Sequence, residues 1–175
     1  NHILISAIEH KAVLEAAKFL EKEGFEVGII PVDQYGVINI EKCLTMIKKE
    51  TILISVMYVN NEIGTIEPIQ ALASALKKIN PDSCPLFHVD ACQASNLLSL
   101  DVNKLEVDLM TINSSKIYGP LGLACLYKKS GIKINSIIMG GEQEKNLRAG
   151  TENIPLIVGF AEALEGAQKM RKAEY

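Results

Sequence analysis

The sequence predicts an α/β fold, a three-layer sandwich with a mostly parallel sheet at its centre. Two observations predict it. Short apolar runs alternate with longer amphipathic stretches along the 175 residues. Most of those runs are continuously apolar instead of alternating, the pattern of strands covered on both faces. Strands that alternate with helices need crossover connections, and crossovers lay neighbouring strands parallel.

The strand candidates are Ile3–Ser6, Glu26–Ile30, Ile52–Met57, Leu86–Val89, Val107–Ile112 and Leu123–Tyr127. Helices are expected between them. His10–Lys22 places Val13, Leu14, Ala17 and Leu20 on one face, and Gly24 stops it. Ile40–Lys48 turns Leu44 and Ile47 inward. Ile69–Ile79 turns Leu72, Ala73, Leu76 and Ile79 inward, with Pro68 at its start and Pro81 after its end. A last helix is expected over Ile154–Lys172. No internal repeat, low-complexity stretch or linker interrupts the pattern, so residues 1–175 read as one domain.

Composition narrows the function classes. Apolar residues make up 48% of the chain, which favours a packed core over disorder. A net charge of −3 offers no basic field for nucleic acid, and the few aromatics form no stacking platform. No apolar run approaches a membrane span. The four cysteines, Cys43, Cys84, Cys92 and Cys125, form no C-x-x-C pair, and no secretory segment opens the chain. A reducing cytoplasm is therefore expected. The chain opens on a strand already under way and closes in an uncapped helical run, so both ends read as cut from a longer protein.

Ligands of parallel sheets bind outside the carboxyl ends of the strands. Four polar sets follow four different apolar runs: Glu9-His10, Asn60-Asn61-Glu62, Asp90 with Gln93, and Asn113-Ser114-Ser115-Lys116. A parallel sheet brings all four to one rim. Lys116 stands just past a strand, before the turn Tyr118-Gly119-Pro120. It is either a plain corner lysine or an amine desolvated for nucleophilic or Schiff-base chemistry. Asp90 either caps the segment starting at Ala91 or holds a cationic ring nitrogen. His10 either caps a helix or lays its ring on a planar ligand and relays protons. Asn60-Asn61 is a bare turn or a donor to a phenolic oxygen, and Gln93 presents an amide nearby.

Nucleotide fingerprints are missing: the sequence has no G-x-G-x-x-G and no G-x-x-x-x-G-K-[ST]. Zinc is poorly supported, since His88 and Asp90 lack further ligands in a known spacing. An amine, a carboxylate, amide donors and an aromatic ring together are what pyridoxal phosphate requires.

The stretches Ile8-Glu9-His10-Lys11-Ala12-Val13, Met57-Tyr58-Val59-Asn60-Asn61-Glu62-Ile63-Gly64, Phe87-His88-Val89-Asp90-Ala91-Cys92-Gln93, Ser115-Lys116-Ile117-Tyr118-Gly119-Pro120 and Arg148-Ala149-Gly150-Thr151-Glu152-Asn153 carry a specific likeness. In family order they resemble the cysteine desulfurases of the class V aminotransferase superfamily, a group that also holds the selenocysteine lyases. The resemblance implies the large, cofactor-binding domain of a fold type I pyridoxal 5′-phosphate enzyme, in part only. It implies that Lys116 forms the Schiff base and shuttles protons, that Asp90 pairs with the pyridinium nitrogen, and that His10 stacks on the ring. Asn61 and Gln93 would bond the phenolic oxygen, and Asn113 and Ser115 fall where the family binds phosphate. Thr151 matches a threonine that reaches the phosphate of the neighbouring subunit, which implies a homodimer with shared sites. The implied reaction takes sulfur from L-cysteine, leaving L-alanine and an enzyme persulfide. The sulfur then passes to an acceptor, such as a scaffold protein of iron–sulfur cluster assembly, or to tRNA thiolation. The alternatives are a selenocysteine lyase, or a non-catalytic remnant of the fold that only dimerises.

The chain departs from the family pattern at two places. Ser115 stands where most relatives have histidine, which predicts weaker cofactor binding or compensation by Asn113. Gly140-Gly141-Glu142 stands where three glycines are usual. The family's nucleophilic cysteine lies in a loop well beyond Thr151, followed by a small domain that also brings a substrate-carboxylate arginine. A phosphate-binding threonine lies upstream. None of these matches a residue here, so apolar surface is expected where such segments would pack, and little turnover is expected from this chain alone.

Overall fold

The computed structural model describes residues 1–79 and 84–174. Its strands are β1 (His2–Ser6), β2 (Glu26–Ile30), β3 (Thr51–Met57), β4 (Leu86–Asp90), β5 (Leu109–Asn113) and β6 (Ala124–Lys128). They form one six-stranded sheet in the order β2-β1-β3-β4-β5-β6. Every pairing is parallel except that of β6 against β5. Residues 114–123 hold a single 3-10 turn (Ser114–Lys116) and no crossover helix. A parallel return needs such a crossover, so the chain comes back beside β5 in the opposite sense.

The helices are α1 (Lys11–Lys22), α2 (Ile40–Met46), α3 (Ile69–Ile79), α4 (Val102–Leu105), α5 (Gln143–Asn146) and α6 (Ile154–Glu174). Side-chain alternation along the strands divides them into two layers. Ile3 and Ile5 face one way and pack with Ala17, Val13, Leu14 and Leu20 of α1. Leu4, Ile54, Val56, Phe87 and Val89 belong to the larger cluster with Cys43 of α2, Leu72 and Leu76 of α3, Leu105 of α4 and Phe160 of α6. Each large apolar side chain fully buried here contributes roughly 1.5–3 kcal/mol. The expected three layers and mostly parallel sheet are present.

Boundaries differ where apolar residues are buried outside strands. Val107 was expected to open a strand, but β5 begins at Leu109. Glu106 adopts a left-handed conformation (φ 57°), and Asp108 N–H then donates to Phe87 O at 3.0 Å while Asp108 Oδ2 accepts from Phe87 N–H at 3.0 Å. Val107 is buried beneath this turn, which explains its apolar side chain. Helix α2 ends at Met46, before the expected Lys48, because Ile47 is extended and Lys48 N–H donates to Thr51 Oγ1 at 2.7 Å. Pro81 lies outside the described residues.

The link from β3 to α3 positions part of the candidate site. Val59 bridges Ile66 in antiparallel sense, and Glu67 N–H donates to Tyr58 O at 2.9 Å. Glu67 is 1% exposed. Its Oε2 accepts from Ile38 N–H at 3.0 Å, while Oε1 has no partner. Burial, with a smaller contribution from Asp33, pushes its carboxyl up from 4.5 to about 7. The folded protein thus keeps this proton at pH values where the unfolded chain has lost it. The stabilising effect is full below pH 4.5 and is lost as pH rises towards about 7. Denaturant midpoints taken below and above this window should fall less for Glu67→Gln than for the wild type; equal falls would contradict the assignment.

Candidate functional site

Four neighbouring parallel strands, β1, β3, β4 and β5, end at one rim of the sheet. The polar sets expected there follow these strands: His10 after β1, Asn61 after β3, Asp90 and Gln93 at and after β4, and Asn113, Ser115 and Lys116 at and after β5.

Asp90 is the last residue of β4 and is 8% exposed. Its carbonyl accepts from Tyr58 N–H at 2.8 Å, and its Oδ1 accepts from Cys92 N–H at 3.0 Å. Its Oδ2 takes no hydrogen bond from the described residues and remains available. His88, two residues earlier on the same face, is bonded on both sides: Nδ1 with Ser55 Oγ at 2.8 Å and Nε2 with Thr111 Oγ1 at 2.9 Å. Burial lowers its pKa, against an opposing pull from Asp90. His88 therefore stitches β3, β4 and β5 together beneath the rim.

His10 is the N-cap of α1, and its Nδ1 accepts from Ala12 N–H at 3.2 Å. In the neutral ring the proton then sits on Nε2, which stays free at the exposed edge. Asn60 is buried and turned to structure: Nδ2 donates to Ile8 O at 2.7 Å, and Oδ1 accepts from the N–H groups of Glu62 and Ile63 at 2.8 and 3.0 Å. Asn61 beside it is exposed. Together with Gln93 and Leu97 it lines an open cleft of about 520 Å³.

Asn113 caps the 3-10 turn, its Oδ1 accepting from Ser115 N–H at 2.8 Å and from Ser115 Oγ–H at 2.7 Å. Its amide Nδ2 is left to donate elsewhere. Ser114 is buried with an unpaired Oγ. Gly119 allows the chain to close over it, since a Cβ there would lie 2.3 Å from Ser114 Oγ. Tyr118 between them holds a left-handed φ of 58°, a conformation that costs a side chain on the order of 1–2 kcal/mol. The turn puts Lys116 at the rim, but exposed and, among the described residues, without an ion-pair partner. The desolvation expected for this amine is not supplied by this chain.

Cys92 registers both charges of the rim. Burial, then the Asp90 carboxylate, raises the Cys92 thiol pKa, and the Lys116 ammonium pulls it the other way. Cys43 is fully buried and its thiol is pushed up to about 11. Burial also raises Cys84 and Cys125. None of the four is poised as a thiolate near neutral pH.

Thr151 is exposed ahead of α6 and makes no hydrogen bond to the rim residues. Helix α6 itself abuts the turn after Lys116: a Cβ at Gly159 would lie 3.3 Å from Pro120 Cγ, and one at Gly119 would lie 3.2 Å from Ala163 Cβ. Sequence reasoning placed Glu9 in a rim set but gave it no role. It is 5% exposed, its Oε1 accepts from Met57 N–H at 2.7 Å, and its Oε2 has no partner. Burial, then the charges of Asp90 and Glu67, pushes its carboxyl up to about 8.

The aminotransferase class-V family model matches residues 1–175. The chain belongs to that family. It is 45% identical over 165 residues to cysteine desulfurase IscS 1 of Archaeoglobus fulgidus, covering 94% of this chain and 42% of that protein. It is 47% identical over 169 residues to cysteine desulfurase IscS of Clostridium botulinum, covering 97% of this chain and 42% of that one. A solved NifS-like protein superposes with a TM-score of 0.94 at 40% identity, over 99% of this chain and 47% of that one. The fold type I architecture expected from the resemblance is the one this chain has. The chain spans less than half the length of the relatives it matches.

The thiol environments predict a labelling order. Near pH 8, iodoacetamide should modify Cys43 and Cys92 of the native protein at least roughly tenfold more slowly than in the unfolded chain, because each unit of raised pKa removes about nine-tenths of the thiolate. Mass spectrometry showing Cys92 labelled at its unfolded rate would contradict this.

Proposed function

We propose that this chain is most of the cofactor-binding domain of a pyridoxal phosphate-dependent cysteine desulfurase. One observation carries the reading: an amine without an ion-pair partner among the described residues, Lys116, and a buried carboxylate with an unused oxygen, Asp90, follow neighbouring parallel strands to the same rim. The rim fits the cofactor. Each group it requires has an atom left over after the local hydrogen bonds are counted: Asp90 Oδ2 for the pyridine nitrogen, His10 Nε2 at the ring face, Asn61 and Gln93 amides for the phenolic oxygen, and Asn113 Nδ2 for phosphate.

When bound, pyridoxal phosphate supplies an electron sink that loosens bonds around the α-carbon of an amino acid. Asp90 keeps the sink effective by holding a proton on the ring nitrogen through a charge-assisted hydrogen bond. Lys116 Nζ would anchor the cofactor and, as a free amine, would accept and return protons beside the substrate. His10 Nε2 holds or passes a proton at the ring edge. Ser115 Oγ–H donates to Asn113 Oδ1, so it would reach the phosphate only by giving up that bond, and then as a neutral donor weaker than a cationic one. The overall reaction converts L-cysteine and an enzyme thiol to L-alanine and an enzyme persulfide. None of the four thiols here suits that attack, so the nucleophile belongs to the part of the protein outside this chain. The sulfur then goes to a scaffold protein of iron–sulfur cluster assembly or to tRNA thiolation.

A homodimer with shared sites, in which Thr151 serves the neighbouring subunit's phosphate, is part of the same proposal. Its support is exposed apolar surface: Tyr118 and Leu121 in the turn after Lys116 are 96 and 77% exposed, Ile137 and Met139 flank Ile138, whose carbonyl accepts from Ala149 N–H ahead of α6, and are 93 and 88% exposed, and Ile154 and Val158 of α6 are open on the side away from buried Phe160. A cytoplasmic location fits four free cysteines. Among the described residues, no helix is long and apolar enough to cross a membrane.

Full-length protein purified with pyridoxal phosphate should show a visible absorbance band that Lys116→Ala lacks. Asp90→Asn should keep the band but release alanine from cysteine more slowly by about a hundredfold or more, the scale of a lost electrostatic stabiliser. Identical spectra for wild type and Lys116→Ala would sink the assignment.

A further inference from the structure

We propose that Glu9 is a positioning residue of the cofactor site, its carboxyl locking the turn that carries His10 to the end of β3 beside Asp90. The inference rests on the pyridoxal phosphate reading of the rim and adds to it a residue that touches neither cofactor nor substrate.

The geometry begins with unequal strand lengths. β1 ends at Ser6, where its register with β3 has reached Ile5 opposite Ser55. β3 runs on to Met57. Successive N–H groups of a strand point to opposite neighbours, and Tyr58 N–H already donates to Asp90 O on the β4 side. Met57 N–H therefore points to the side that β1 has left. Glu9 Oε1 fills that place at 2.7 Å, doing for one residue what a longer β1 would do. The next residue is His10, the cap of α1. The preceding one, Ile8, accepts at its carbonyl from Asn60 Nδ2 at 2.7 Å, which fixes the turn bearing Asn61. Met57 is in register with Asp90 across β3 and β4. The Glu9 carboxyl thus fixes His10 relative to Asp90, and the adjoining Asn60–Ile8 bond adds Asn61 to the same frame.

The charged groups acting on it are Asp90 at the end of β4 and Glu67 ahead of α3, both acidic. With Oε2 buried and unpaired, the acid form suits the site: it accepts from Met57 without adding a second negative charge beside Asp90. Ionised, the side chain can reach water only by moving the turn that holds His10.

The test measures how full-length wild type, Glu9→Ala and Glu9→Gln bind 4′-deoxypyridoxine 5′-phosphate, an analogue without the aldehyde, so that Lys116 chemistry does not enter. Binding is read by titration below the melting temperature, near pH 7 and near pH 9. Glu9→Ala should bind about tenfold more weakly near pH 7, and Glu9→Gln should restore wild-type affinity there. If only the neutral form of Glu9 is competent, wild-type affinity should fall roughly tenfold more than that of Glu9→Gln between the two pH values. Folded Glu9→Ala with unchanged affinity overturns the proposal. If Glu9→Ala does not fold, the pH comparison decides, and parallel pH dependence in wild type and Glu9→Gln overturns it. Wild type that binds no analogue, with no Lys116-dependent band with pyridoxal phosphate, overturns the cofactor reading and this proposal with it.

Discussion

At the carboxyl end of a parallel sheet, backbone N–H groups run out of partner strands. Donors left without a strand partner need another acceptor, and here side chains supply it. Glu9 serves Met57, Asp90 serves Cys92, Asn60 serves Glu62 and Ile63, His10 serves Ala12, and Asn113 serves Ser115. The rest of the site depends on this constraint. Each polar side chain is fixed through one atom to the backbone, and its other atom is aimed by that bond.

Two readings of the same residues that look like rivals in the sequence are therefore compatible in the structure. Asp90 is a cap through Oδ1 and leaves Oδ2 unengaged among the described residues. His10 is a cap through Nδ1 and keeps Nε2. Asn113 is a cap through Oδ1 and keeps its amide donors. A side chain held at one atom loses less rotational freedom on binding a ligand at the other, which is the physical advantage of building a site from caps. Asn60 is the counter-example: both ends of its amide are consumed, and the exposed Asn61 is the residue left for a ligand.

The sheet and its rim were legible because their signals are local. Continuous apolar runs mark doubly covered strands, and the residues after them must lie at the strand ends. Val107 misled because an apolar residue under a tight turn reads like one in a strand. The exposure of Lys116 was not legible, because burial of a rim residue depends on what packs over the rim, and the pattern around Lys116 describes only its own turn. Glu67 and Glu9 were hard to read for another reason. Acids are nearly always solvated, so sequence reasoning assigns them to surfaces. The weak clue was their setting: Glu67 sits between Ile66 and Pro68, and Glu9 directly follows Ile8 at the close of an apolar run.

The two buried acids also explain why the 58–67 segment can be both a turn and a rigid part of the site. Such turns usually sit on the surface with their backbone solvated. Here Glu67 ties the exit of the turn to Ile38, and Glu9 ties its entrance to the turn after β1, while Asn60 closes it internally through Glu62 and Ile63. Burial pushes both carboxyls up, Glu9 to about 8 and Glu67 to about 7, so at neutral pH Glu9 is mostly neutral and Glu67 partly so. That matters because Asp90 closes β4 at the same end of the sheet. Full negative charges crowded into one low-dielectric corner repel one another. Neutral acids give the hydrogen bonds without that penalty, and so allow a carboxylate and its anchors to share one end of the sheet.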